Sequence, residues 1–318
     1  MYISPPSVVK ATLKPPGGDY AVNYVKWTAD GAFAVTCSED RNLYLWNPFR
    51  IDSNDQSFLL KSYTGAHSHG VTGVAIAKSN DAFVSCGGDR DAFVWDVQSG
   101  KVTRRLKKHT QRVNSVDVSD DKSIALTGSD DGTVKVWDLR SKSREPIQEL
   151  TQFKDSVTSV SLRESQSTTT IMAGCVDGKL YSFDIRNGGL ITDDFLDPIC
   201  SATPSRDGLC TLCSCTNSQG GAVFLSEMSS GTVLQRYEGH VNVSYRVPAS
   251  ITHDDGYVVS GSEDGRVCVW DLASGAPTVY AQDRPMHRQT VTALECHPGK
   301  PAFISASFDG ITWLWADM

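Results

Sequence analysis

Four groups of residues in this 318-residue chain carry an imidazole, a hydroxyl, a carboxylate and an indole at repeated spacing. They are His67, Ser85, Asp89 and Trp95; His109, Thr127, Asp131 and Trp137; His240, Ser260, Asp264 and Trp270; and His287, Ser305, Asp309 and Trp315. In each, Asp follows the hydroxyl residue by four positions and Trp follows it by ten. The His precedes the Trp by 28, 28, 30 and 28 positions. A histidine beside a hydroxyl and a carboxylate is the equipment of acyl-transfer hydrolysis, where the imidazole activates the hydroxyl. Four copies at one place in a repeat fit a structural staple better than an active site. Once buried, the indole N–H, the hydroxyl and the imidazole each need a partner. Each such bond contributes about 1 kcal/mol net, and an orphaned partner costs ~1–3 kcal/mol. Asp131→Ala is therefore expected to lower the melting temperature in calorimetry without removing one discrete binding function. An unchanged melting temperature contradicts the staple.

Other reactive groupings are weaker. His67-Ser68-His69 has the look of a metal pair, but His67 belongs to a staple. Cys210-Thr211-Leu212-Cys213 is a CxxC on an apolar run, with no second CxxC or His pair to accompany it, and zinc takes about four ligands. No GxxxxGK[ST], HExxH or GxSxG occurs. Acidic pairs such as Asp120-Asp121 and Asp254-Asp255 fall in turns and read as solvated. The chain is expected to be non-enzymatic, with no catalytic residue, no cofactor and no metal.

The elements that hold these groups form a repeat. Trp46, Trp95, Trp137, Phe183, Ser226, Trp270 and Trp315 mark one position, at steps of 49, 42, 46, 43, 44 and 45 residues. That is the period of a four-stranded propeller blade. Thr36, Asp40 and Trp46 carry the frame in blade one, and Ala173, Asp177 and Phe183 carry it in blade four. Blade five drifts, with Cys213, Asn217 and Ser226. Apolar runs are strand-sized and bounded by turn pairs such as Asp131-Gly132, Asp264-Gly265 and Ser274-Gly275. In blade three they cover 113–119, 124–129, 133–139 and 146–150. The fold expected is all-β, a seven-bladed propeller occupying 1–318 as one domain. The blades fall at about 20–63, 68–107, 110–150, 155–193, 198–238, 242–281, and 289–318 plus 6–13. Blade seven reaches only its third strand at Trp315, so the run 7–13 is expected to pair as its outer strand and close the ring.

Composition bounds the class. Hydrophobic residues make up 40% and charged residues 21%, enough for a large core. A net charge of −7 argues against direct nucleic-acid binding. No apolar run approaches the ~18 residues that cross a bilayer, and the start reads as no secretory signal. The nine cysteines, such as Cys37, Cys86, Cys175 and Cys268, read as reduced core thiols of cytosol or nucleus. Asn242-Val243-Ser244 then matches the glycosylation pattern by chance. A monomer is expected.

Gly18-Asp19 and Gln152-Phe153 stand where the Gly-His of blades one and four would be, so blades four and five are expected to be weakly stapled and soft. The polar stretch 49–60, with Asp52, Asn54 and Asp55, is expected to be a mobile loop of blade one. Lys101, Arg104, Arg105, Lys107, Lys108 and Arg112 put six cations into twelve positions. They read either as a charged edge that discourages pairing or as a site for an anionic partner. Residues before each staple Asp point to one loop face: Glu39, Gly88, Asp130, Val176, Glu263 and Phe308. Arg41, Arg90, Arg112, Lys154, Arg246 and Arg288 join them there. An exposed Phe308 beside arginines would be a binding hot spot.

Glu238-Gly239-His240, together with Trp-Asp at 95–96, 137–138 and 270–271, resembles the WD-repeat family over essentially the whole chain. That resemblance implies that His, Ser/Thr, Asp and Trp form a buried hydrogen-bonded chain. Finer stretches resemble the mitogen-activated protein kinase organizer family. These are Asn42–Arg50 with its Asn47-Pro48, Arg140-Ser141-Lys142 with Glu145–Gln148, Asp197–Cys200 with Ser205–Gly208, and Tyr237–His240 running to Tyr245-Arg246. The resemblance implies a stand-alone scaffold for kinase-cascade proteins, also found with spliceosomal complexes, in cytoplasm and nucleus. A nuclear splicing component is the alternative, and a substrate adaptor is less favoured.

Overall fold

A computed structural model describes residues 5–164, 169–278 and 286–316. Among them there is no helix; the strands form seven antiparallel sheets, six of four strands and one of three. Each sheet is built from consecutive strands, except the last. There Val9–Leu13 pairs with Thr312–Ala316, and Ala302–Ser307 and Val291–Cys296 complete the sheet. The N-terminal strand thus closes the ring. Its Ala11 and Leu13 are buried in one cluster with Trp46 of blade one and Ile304 and Leu314 of blade seven.

The stretch 49–60 is not a mobile loop. The third and outer strands of blade one extend as Leu43–Ile51 and Ser57–Tyr63, joined by a tight turn. The polar residues that read as loop build that turn. The Asp52 carboxylate accepts from the Asn54 and Gln56 amides at 2.8 and 2.9 Å, and Asp55 takes a left-handed φ of 55°. Phe49 stacks on Trp27. The turn also receives the closing strand, since the Thr12 amide donates to the Asp55 carbonyl at 2.8 Å.

The inner strands share one device. In blades one to five and seven the pairing register shifts around the second inner-strand residue: Asn23, Thr72, Asn114, Thr158, Cys200 and Thr292. A bulge re-aims the side chain it carries. Here each bulged residue donates to the first carbonyl of the next blade's inner segment. Asn23 reaches Val71 at 3.0 Å, Thr72 reaches Val113 at 2.5 Å, Asn114 reaches Val157 at 2.9 Å and Thr158 reaches Ile199 at 2.7 Å. The Cys200 thiol reaches Val247 at 3.6 Å, and Thr292 returns to Val22 at 2.5 Å. Six of the seven seams between blades are therefore stitched edge to edge around the channel, all but that from blade six to blade seven.

Blade six departs from its neighbours. Its inner strand is only Ala249–Ile251, and Ser244, Tyr245, Arg246 and Pro248 of the segment before it line the channel mouth instead. Thr278 begins an outer pairing through its amide to the Val269 carbonyl at 2.8 Å. The end of blade six expected near 281 lies outside the described residues.

Candidate functional site at the channel mouth

The staples come first, because they fix the loops around the mouth. In blade two, His67 Nε2 lies 2.8 Å from Ser85 Oγ and Nδ1 lies 2.8 Å from Asp89, while the Trp95 indole donates to Ser85 at 2.8 Å. Blade three repeats this with 2.7, 2.8 and 2.9 Å among His109, Thr127, Asp131 and Trp137. One proton arrangement satisfies every group: indole to hydroxyl, hydroxyl to Nε2, Nδ1–H to carboxylate. Ser85 and Thr127 are fully buried, so neither hydroxyl can meet a substrate. Burial pushes the Asp131 carboxyl up, but the bonds from His109 and Thr133 outweigh it and hold it well below the usual carboxylate range.

The other two sets differ from the sequence reading. In blade seven the Trp315 indole and His287 Nε2 both meet Ser305 at 2.9 Å, but Nδ1 stands 3.5 Å from Asp309. That is too long for a good hydrogen bond. In blade six the set does not form. Trp270 donates to the Glu238 carbonyl at 2.9 Å, Ser260 turns to the Gly261 carbonyl at 3.1 Å, and Asp264 pairs with Arg266 at 2.7 Å. His240 packs edge-on against Trp270, with neither ring nitrogen hydrogen-bonded among the described residues. The reason is spacing: the two extra residues between His240 and Trp270 place the imidazole off the hydroxyl.

Burial without a partner lowers the His240 pKa to about 4. Between its ordinary value near 6.5 and 4, the unfolded chain binds a proton there that the folded one does not. Stability at this residue is therefore full above pH 6.5 and lost as the pH falls toward 4. Denaturant melts of His240→Gln are expected to show a shallower fall in stability than wild type across that window. Parallel curves contradict it.

Blades one and four lack the His, yet their Asp is not left unsatisfied. Tyr44, four residues after Asp40, donates its hydroxyl to that carboxylate at 2.5 Å, and Tyr181 does the same for Asp177 at 2.6 Å. The bond to Asp177 gives blade four a polar clasp that the sequence reading did not foresee. In blade five Asn217 stands in for the Asp, bonding Asp197 at 3.0 Å.

The channel mouth is a cavity of about 560 Å³ lined by Glu39, Asp130, Arg112, Tyr245, Arg246 and Phe308, among others. Glu263 is not a free surface acid. Its carboxylate accepts from the amides of Val243, Ser244 and Tyr245 at 2.7, 2.6 and 2.9 Å, which folds 242–246 into a cap. Arg246 is not a surface cation either. Its guanidinium donates into the channel, to the carbonyls of Cys200 at 3.3 Å, Asn114 at 3.1 Å and Thr158. It bolts the cap to blades three, four and five. Phe308 is half-buried and meets the ring of Tyr245 edge-on at 5.2 Å. The exposed aromatic is Tyr245, at 48%.

Charge on this face is lopsided. Glu39 and Asp130 accept from Asn23 and Asn114 at 2.9 and 2.5 Å. Arg41, Arg90, Arg112, Lys154 and Arg288 are exposed, and among the described residues their side chains make no hydrogen bond or ion pair. Arg41 and Arg90 also hold left-handed φ values of 74° and 68°. At the same turn, blades three, four, six and seven use Gly132, Gly178, Gly265 and Gly310. None of Lys101, Arg104, Arg105, Lys107 and Lys108 lines the mouth; they follow the outer strand of blade two, Val102–Lys107.

Residues 8–47 and 231–271 match the family described as WD domain, G-beta repeat, and residues 70–194 match the Nucleolar protein 10-like, N-terminal domain. The chain is 36% identical to WD repeat domain-containing protein 83 of Homo sapiens over 95% of this chain and 91% of that protein. It is 37% identical to the Danio rerio protein of that name, over 93% and 88%. The chain belongs to the WD repeat domain-containing protein 83 family. The Dictyostelium discoideum homolog is 29% identical over 93% of this chain and 94% of its own length. Members of this WD-repeat family are protein-interaction propellers, and the hydroxyls of Ser85, Thr127, Ser260 and Ser305 are all buried.

Proposed function

We propose that this propeller is a non-enzymatic scaffold of the mitogen-activated protein kinase organizer type. It gathers kinase-cascade proteins on its loop face, in cytoplasm and nucleus. One observation carries the reading: Glu39, Asp130 and Glu263 are tied to internal amides, while the exposed Arg112 makes no side-chain bond among the described residues and shares the channel mouth with the exposed Tyr245. An acidic partner surface with a central apolar contact complements that pattern.

The strained arginines add weight. A non-glycine residue in the left-handed region costs ~1 kcal/mol, and such strain concentrates at binding sites. The double variant R41G/R90G is expected to melt higher, by about 2–4 °C, while binding its partner more weakly. Calorimetry together with partner titration checks this. A variant that melts lower, or that binds as wild type does, contradicts the assignment.

The test of the function is purification of the tagged protein from its own cells, with RNase-treated controls, and mass spectrometry of what accompanies it. Kinases and their regulators that persist after RNase support the signalling scaffold. Recovery of splicing factors without kinases overturns it in favour of a spliceosome-associated component.

A further inference from the structure

The outer strand of blade two runs beside the segment 139–145 of blade three, and the two enclose a groove of about 860 Å³. Seven Lys and Arg side chains line it, against one carboxylate, Glu145. This is a concentrated positive site on a chain whose net charge is −7.

Four of the seven cations have structural duties. Arg104 crosses between the blades to the carbonyls of Asp138 at 2.6 Å, Ser141 at 2.8 Å and Ser143, and so fixes the position of the far wall. Arg105 is ion-paired to the buried Asp91 and lies over the Phe93 ring at 5.6 Å. Lys108 meets Glu145 at 2.6 Å, and Arg140 meets Asp121 at 2.7 Å. The remaining three, Lys107, Lys142 and Arg144, are exposed, and among the described residues they have no hydrogen bond or ion pair. An anionic guest relieves their mutual repulsion.

We propose that this groove docks an extended acidic peptide segment of a partner protein, held by Lys107, Lys142 and Arg144. Val102–Lys107 is the last strand of its sheet, and among the described residues its outer backbone edge has no strand partner. A peptide lying along it gains main-chain hydrogen bonds as well as ion pairs. RNA fits less well. No aromatic ring lines the groove for base stacking, and the acidic remainder of the molecule repels a long phosphate backbone. The groove shares no lining residue with the channel mouth. A scaffold with both surfaces holds two partners at once.

The test uses the intact protein and a fluorescein-labelled octapeptide, Glu-Val-Glu-Thr-Glu-Val-Glu-Thr, followed by anisotropy at low ionic strength. The variant K107E/K142E/R144E changes only exposed side chains and is expected to melt as wild type does. It should bind at least about tenfold more weakly, and added salt should weaken wild-type binding. The loop-face variant R41E/K154E/R288E, at exposed residues that line neither the groove nor the pocket beside Lys107, should bind the peptide as wild type does. Equal affinity of wild type and K107E/K142E/R144E overturns the proposal. So does an equal loss in both variants, which would mark a diffuse charge effect. Displacement of the peptide by octauridine RNA at lower concentrations than by unlabelled peptide overturns it in favour of a nucleic-acid groove. Should K107E/K142E/R144E melt lower, K107Q/K142Q/R144Q replaces it under the same criteria.

Discussion

Removal of residues 1–14 is expected to leave a chain that aggregates or melts about 10 °C lower. The deletion takes away Leu13 and Ala11, both 1% exposed, from the cluster that joins blade one to blade seven. Emptying a buried leucine site alone costs ~2–5 kcal/mol. It also strips the pairings of Val9, Ala11, Thr12 and Leu13 with Trp315, Leu314, Trp313 and Thr312, leaving Thr312–Ala316 as an exposed edge. The clasp from Thr12 to Asp55 is lost with them. Against a total stability of ~5–15 kcal/mol, and at roughly 2 °C or more per kcal/mol for a chain of this size, little margin is left. Light scattering and calorimetry read the result. Partial recovery by a peptide spanning 5–14 added in trans would identify the missing strand as the cause. A soluble, monomeric truncation with an unchanged melting temperature would refute the closing role.

The second large effect falls on the loop face. The triple variant Y245A/R41E/R90E is expected to weaken binding of the recovered kinase-cascade partner by about a hundredfold, through loss of an aromatic anchor and reversal of two unpaired charges. All three side chains are exposed, so the melting temperature should stay near that of wild type. Arg246→Ala makes an instructive comparison. It should weaken binding and stability together, because its guanidinium holds the 242–246 cap to carbonyls of three other blades. Unchanged affinity in the triple variant removes this face from the account.

The repeat was legible because its signal is periodic and local. Hydroxyl, Asp and Trp at fixed offsets mark the second and third strands of five blades, with a weaker echo in blades four and five, and the run before Pro15 lies in strand as 9–13. What escaped reading depends on partners that sequence spacing does not reveal. The ring of bonds from Asn23, Thr72, Asn114, Thr158 and Thr292 ends on backbone carbonyls of the next blade. Those acceptors carry no residue signature. Glu263 and Arg246 looked like surface charges because nothing local shows that a cap folds back onto one and carries the other inward. Blade six held a usable warning, the 30-residue spacing of His240 and Trp270 against 28 elsewhere. A tyrosine four residues after Asp40 and Asp177 was an equally available signal for the clasps in blades one and four. The basic run 101–108 was visible, but its complement at Arg140, Lys142 and Arg144 lies more than thirty residues on and joins it only in the fold.

The most direct test of the loop-face account is hydrogen–deuterium exchange on the protein alone and in complex with the kinase-cascade partner recovered by purification. The account predicts slowed exchange in the complex at 242–246 and in the turns carrying Arg41, Arg90 and Arg288, with the buried staples unaffected. Protection confined to outer strands, with 242–246 exchanging as in the free protein, would contradict it.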